Sequence, residues 1–120
     1  MDPRVERTIA RMEEGLHTDL CVTDLARAVG LSVSQLTRVF RDATRLTPGA
    51  YLRQLRLARA RLLIERSSLT IGEVMGQVGI RDASHFARDF RREFGLGPRE
   101  LRQHLRLTGT QPYVGFTDKA

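Results

Sequence analysis

The chain has 120 residues, 41% of them hydrophobic and 28% charged, enough for one ordinary domain with its own core and too little for two. The net charge is +6, from 20 basic and 14 acidic residues, and that sign points to a polyanionic partner. A single cysteine, Cys21, excludes an intrachain disulfide and a multi-cysteine zinc site and fits a reducing, cytoplasmic setting. No apolar run approaches the roughly 18 residues of a membrane span, and the acid-bearing start MDPRVERTIARMEEG lacks the apolar stretch of a signal peptide.

Helical periodicity runs along the chain and no alternating strand pattern appears, so the expected fold class is all-α. Val5, Ile9, Met12 and Leu16 recur at helical spacing behind Asp2-Pro3, an N-cap followed by a first-turn proline. A short helix covers about 22–29 and stops at Gly30. A third runs over about 33–44 behind Ser32. Thr47-Pro48 opens a long helix to about Arg66, and Ser67-Ser68 breaks it. Thr70 caps a short helix over about 71–78, which stops at Gly79. Asp82 caps the next, about 83–94; Gly95 and Gly97 interrupt the chain, and Pro98 starts the last helix, to about Leu107. The tail, 108–120, has no helical period and is expected to lie outside the core as a flexible end, with Tyr113 and Phe116 as the residues by which it would dock.

The chain repeats itself. LARAVGL at 25–31 matches VMGQVGI at 74–80, and LTRVFRDATRLTP at 36–48 matches FARDFRREFGLGP at 86–98, with one extra residue in the second copy between Gly79 and Phe86. Each copy reads as a helix-turn-helix, with a first unit over about 20–46, a linker helix over about 47–67 and a second unit over about 70–96, all within one domain spanning 1–107. Leu25, Ala26 and Val29, and in the second copy Val74, Met75 and Val78, form the crossing of each pair. Gly30 and Gly79 stand at the turns, where a positive φ suits glycine. In the second helix of each pair, Leu36, Val39, Phe40 and Ala43, or Phe86, Phe90 and Phe94, face inward.

The opposite faces carry Ser34, Gln35, Thr37, Arg38 and Arg41 in the first copy. The second has Ser84, His85, Ala87, Arg88 and Arg91, with Arg92 beside them. A major groove admits one helix and offers guanine O6 and N7 to a bidentate arginine, while small neighbours let the helix approach base edges. Arg38 and Arg88 are therefore expected at bases, and Arg41, Arg91 and Arg92, about a turn later, at phosphates. The charge is placed accordingly: residues 1–30 hold four bases and six acids, residues 31–107 fifteen and seven. A linker of about 20 residues spans about 30 Å, close to the about 34 Å between successive major grooves on one DNA face. On that linker Tyr51, Leu52, Leu55, Ala58, Leu62 and Leu63 are expected to be buried, and Arg53, Arg56, Arg59 and Arg61 to be solvated or paired on the other side.

The stretch IGEVMGQVGIRDASHFARDFRREFGLGP at 71–98 resembles the signature of the AraC/XylS-type transcriptional regulators, in their two-helix-turn-helix DNA-binding domain. The first copy, LCVTDLARAVGLSVSQLTRVFRDATRLTPGAYLRQLRLARARLLI, is similar to its counterpart there, and the resemblance covers about residues 3–106. It implies seven helices, two helix-turn-helix units on a linker helix, and sequence-specific binding of double-stranded promoter DNA by a transcription regulator whose further partner is RNA polymerase; the duplication and the length of the linker, not the resemblance, predict that a monomer holds both helices in adjacent grooves. The positions that match the family's base-reading residues are Ser34, Thr37 and Arg38, then Ala83, Ser84, His85, Ala87 and Arg88; Gln35, Arg41, Arg91 and Arg92 are the supporting or backbone set. Met75 stands where the family usually has alanine, Leu101 replaces a frequent aromatic, and Cys21 occupies a Ser/Thr cap position that Thr70 fills in the second copy. With no room for an effector domain, the chain is either a stand-alone regulator or the C-terminal part of a longer one.

Catalysis finds no support: His17, His85 and His104 are far apart without ligand-spaced neighbours, Cys21 has no evident base, and no GxGxxG or P-loop signals a cofactor. The alternative reading is a helix-turn-helix-derived protein-interaction module without DNA binding. RNA is disfavoured because an A-form major groove does not admit a helix.

Overall fold

The computed structural model describes residues 1–108, which are all-α. Seven helices follow one another: α1 (Pro3–Gly15), α2 (Val22–Ala28), α3 (Val33–Thr44), α4 (Pro48–Arg66), α5 (Ile71–Gln77), α6 (Ala83–Phe94) and α7 (Pro98–Thr108). The boundaries are those the caps dictate, except that the two short helices end before Val29 and Val78. Tyr113 and Phe116 lie outside the described residues.

The helix starts are satisfied by side chains that accept from otherwise orphaned N–H groups. Asp2 accepts from the N–H of Arg4 at 2.8 Å, with Pro3 at the first helical position. Ser32 and Gln35 form a reciprocal capping box at α3, with bonds of 3.1 and 2.9 Å, and Thr70 and Glu73 do the same at α5, at 3.0 and 2.8 Å. Asp82 accepts from the N–H of His85 at 2.9 Å and opens α6. Cys21 holds the N-cap position of α2 and is exposed, but its side chain makes no cap hydrogen bond. The position reads correctly from sequence; a thiol is too weak an acceptor to do the hydroxyl's work.

Two compact units divide within α4, one ending at Arg56 and the other beginning at Leu57. In the first, α1, α2 and α3 pack on one another around Val5, Met12, Leu25, Ala26, Leu36 and Phe40, all 1% exposed or less. The Tyr51 ring meets Phe40 edge-on at 5.2 Å. Arg56 reaches back to the end of α1, donating to the carbonyls of Leu16 at 3.0 Å and Thr18 at 2.9 Å. In the second unit α6 packs on α5 and α7. Phe86, Phe90 and Phe94 line one face of α6 in successive edge contacts, 5.6 and 4.7 Å between centroids, each ring worth about 1.5–3 kcal/mol in burial. Arg102 in α7 donates to the carbonyls of Ile64 at 3.3 Å and Leu69 at 2.7 Å. In both units an arginine thus closes the exit of a helix that has no glycine cap.

The expected faces need correcting at α4 and at Ala43. Ala43 is exposed, because the inward stripe of α3 centres on Leu36 and Phe40. In α4, Leu52 is buried as expected, but Tyr51, Leu55, Ala58, Leu62 and Leu63 are half-buried. The buried set is Leu57, Ala60, Ile64 and, against expectation, Arg61, which is 0% exposed. Arg61 donates from Nε to Glu65 at 2.8 Å and lies over the Phe94 ring at 4.9 Å. A helix that serves a different core at each end has no single apolar face, so a one-face reading of the whole of α4 fails. Its second half repeats α1: the buried spacing Val5, Thr8, Met12 recurs as Leu57, Ala60, Ile64.

Candidate nucleic-acid interface

The second helix of each unit is amphipathic for a local reason. Residues three and four apart share a face, so burying Leu36 and Phe40 turns Ser34, Gln35, Arg38 and Arg41 outward, and burying Phe86 and Phe90 does the same for Ser84, His85, Ala87, Arg88, Arg91 and Arg92. Ala83, at the start of α6, is exposed as well, and Thr37 is half-buried. The turn that precedes each helix is set by glycine. Gly30 and Gly79 both have φ of +74°, a conformation that costs a residue with a Cβ about 1 kcal/mol or more. Every residue read as a base or backbone contact therefore lies on α3 or α6, and twelve such positions are accessible or partly so on two helices.

The arginines on these faces differ in their company. Among the described residues Arg38, Arg41 and Arg88 have no ion-pair partner. Arg91 is paired with Glu100 of α7, whose carboxylate also accepts from the N–H of Gly97 at 2.9 Å. Arg92 lies 4.0 Å from Asp89. The Gly97 N–H first, and the Arg91 guanidinium second, hold the Glu100 carboxyl below its usual range. Arg41 and Arg91, matched in sequence, are thus unlike: one is free and one is fastened to the next helix. His85 sits beside Asp82, Nδ1 to Oδ2 at 3.1 Å, and the backbone N–H of His85 is the main reason the Asp82 carboxyl is held below its usual range. Gln35 spends its carbonyl on the Ser32 N–H, so its remaining group facing outward is an amide donor.

Sequence reasoning missed Glu100 and Asp82 as the side chains that orient Arg91 and His85. For Asp82 the signal was the three-residue spacing to His85, the reach by which a side chain folds back on a helix start; the same spacing from Gly97 to Glu100 announces a backbone bond and says nothing of Arg91. Beside α6, Ile71, Gly72, Met75, Phe86, Pro98 and their neighbours line a hollow of about 420 Å³. Met75, 9% exposed, lines this hollow. No described helix is long and apolar enough to cross a membrane.

A helix-turn-helix domain family matches residues 25–104. The HTH-type transcriptional activator RhaS of Salmonella schwarzengrund (strain CVM19633) is 36% identical over 102 residues, covering 85% of this chain and 37% of that protein. RhaS of Klebsiella pneumoniae (strain 342) is 34% identical over the same shares. The chain thus spans 37% of the length of these relatives. Among solved structures, a transcriptional regulator with an AraC-type DNA-binding domain from Chromobacterium violaceum is 30% identical, with a TM-score of 0.79 over 90% of this chain and 96% of that one. The DNA-binding domain of AdpA, a global transcriptional factor solved in complex with a target DNA, is also 30% identical, with a TM-score of 0.82 over 87% and 94%. Length, duplicated helix pairs and the matched region agree: the chain belongs to the AraC-type helix-turn-helix family of transcriptional regulators.

Proposed function

We propose that this chain binds double-stranded DNA sequence-specifically and regulates transcription, inserting α3 and α6 into consecutive major grooves. The observation that carries it is the duplicated reading face. Each of two capped helices presents a small residue and, one turn later, an arginine without an ion-pair partner among the described residues: Ser34 with Arg38, and Ser84 with Arg88. Relatives named as transcriptional activators, and a structural neighbour solved on its target DNA, support the reading.

In this reading Ser34, Thr37, Arg38, Ala83, Ser84, His85, Ala87 and Arg88 meet base edges. Gln35, Arg41, Arg91 and Arg92 support them or meet the backbone. The domain acts as a monomer on an asymmetric site, since His85 and Ala87 differ from Gln35 and Thr37. RNA polymerase at the promoter is the proposed protein partner, and the cytoplasm the proposed location.

The test starts from a duplex selected out of a random library. Footprinting should protect two consecutive grooves on one face at one chain per site; protection confined to a single half-turn, or a palindrome needing two chains, would sink the two-groove arrangement. Arg88→Ala should cost about 1–3 kcal/mol on the selected duplex and relax preference at one base position. Random duplex should lose much less. Equal losses on both duplexes would make Arg88 a backbone contact.

A further inference from the structure

Three turns of α7 carry Arg99, Arg102 and Arg106 on one side of the helix, and the function proposed so far uses none of them. Together with Gln103, Thr70 and Ile71 they line a hollow of about 430 Å³ on the second unit. No carboxylate lines it. Arg99, Gln103 and Arg106 are exposed, and neither Arg99 nor Arg106 has an ion-pair partner among the described residues. Arg102 anchors the floor. Its Nε and Nη1 donate to the carbonyls of Ile64 and Leu69, which leaves Nη2 buried without a hydrogen-bond partner. Burial first, and the like charge of Arg106 second, weaken its hold on its proton. Positive charge therefore accumulates here, with no carboxylate among the described residues lining the hollow. Surfaces that only need to stay soluble mix both signs.

The position of the hollow says what neutralises it. Ile71 and Arg99 line this hollow and also the one beside α6, which includes Ala83, Ala87 and Arg91. The basic groove thus adjoins the hollow beside the second reading helix, a hollow that Glu100 also lines. When a helix enters a major groove, the phosphates that border that groove pass along its flanks. Such contacts come from arginines, hydroxyls and amides together, and the groove offers all three kinds in Arg99 and Arg106, Thr70 and Gln103.

We infer that the α7 groove grips the phosphodiester backbone beside the DNA segment read by α6, with Arg99 and Arg106 as the principal contacts. This rests on the DNA-binding reading above and adds to it an affinity element outside both helix-turn-helix pairs. The grip is blind to sequence. It adds affinity and salt dependence without adding base preference, and it enlarges the footprint on the α6 side alone.

The experiment uses the full chain and the two exposed arginines, sparing Arg102 because its carbonyl bonds support the fold. Arg99→Gln/Arg106→Gln and the charge-conserving Arg99→Lys/Arg106→Lys are titrated against the selected duplex and a random duplex from about 50 to 200 mM salt. Thermal melting of each confirms that it is folded. The glutamine variant should bind both duplexes more weakly by the same factor. Its salt slope should fall by about two, so that its deficit shrinks about ten-fold across that salt range. The lysine variant should keep the wild-type slope. Single methylphosphonate substitutions on the α6 side should weaken the wild type several-fold and leave the glutamine variant indifferent. An unchanged slope in a folded glutamine variant overturns the inference, as does a loss confined to the selected duplex. A wild-type chain that binds neither duplex overturns the DNA-binding reading itself, and this inference with it.

Discussion

The two helix-turn-helix pairs solve one geometric problem with different chemistry. Both turn at a glycine with φ of +74°, and both bury an aromatic under the second helix, Phe40 or Phe90 at 0% exposure. Elsewhere they diverge. α2 starts at Cys21 with no cap bond, while α5 starts at a complete capping box. α3 ends on Arg45 at φ of +69°, where α6 ends on Gly95 at +86°, so the first unit bears a strain the second avoids. Under α6 lie three phenylalanines and a buried ion pair, Arg61 with Glu65; under α3, Phe40 meets Tyr51. Where the backbone geometry permits one solution the copies agree, and where several side chains can satisfy the same need they have drifted apart.

The largest expected effect lies in the second unit. Arg61→Leu strands the Glu65 carboxylate, whose side chain is 6% exposed, and should cost about 3–5 kcal/mol in urea unfolding. Arg61→Leu/Glu65→Leu should recover most of that loss, because the unpaired charge is what costs. A single variant no less stable than the double would show that the ion pair does not distinguish the second core from the first.

Caps come next. Cys21→Thr should give the first unit the cap the second has and raise stability by up to about 1 kcal/mol, and Thr70→Ala should lower it by about 0.5–2 kcal/mol. DNA affinity should not move in Cys21→Thr. A lower melting temperature for Cys21→Thr would mean that the start of α2 is held by something other than a missing acceptor.

The smallest effect is a pH signature. The Asp82 carboxyl is held below its ordinary value of 3.8, chiefly by the His85 N–H. A depressed carboxyl contributes stability above its unfolded pKa of about 3.9 and loses it as pH falls through the lower folded value. The melting-temperature gap between wild type and Asp82→Asn should therefore be open at about pH 5 and close toward about pH 2.5. Ser32, the matched cap in the first unit, does not titrate, so the gap for Ser32→Asn should stay constant over the same range. Parallel pH profiles for the two pairs would remove the electrostatic part of the contrast.

Most of the fold was legible because its signals are local. Ser32, Thr70 and Asp82 fix helix starts through side chains three residues from their targets, and Phe86, Phe90 and Phe94 declare one face by spacing alone. The candidate site was legible for the same reason, since an inward stripe determines the outward one. The company of each charge was not legible. Arg91 and Glu100 lie on different helices, nine residues apart, and nothing in the spacing separates an arginine that pairs from Arg41, which pairs with none of the described residues. Arg61 reads as a surface residue by composition, and only its neighbours Glu65 and Phe94 make it an interior one.

By itself the sequence determined the number and order of the helices, their caps, the glycine turns and the duplication. Each follows from interactions within a few residues along the chain, where backbone geometry leaves few choices. Tertiary structure alone decided which part of α4 serves which core, which arginines are neutralised, and that the arginines of α7 gather in one hollow that shares Ile71 and Arg99 with the hollow beside α6. Those outcomes depend on residues that meet only after the helices pack, and a charge takes its role from what packing brings beside it.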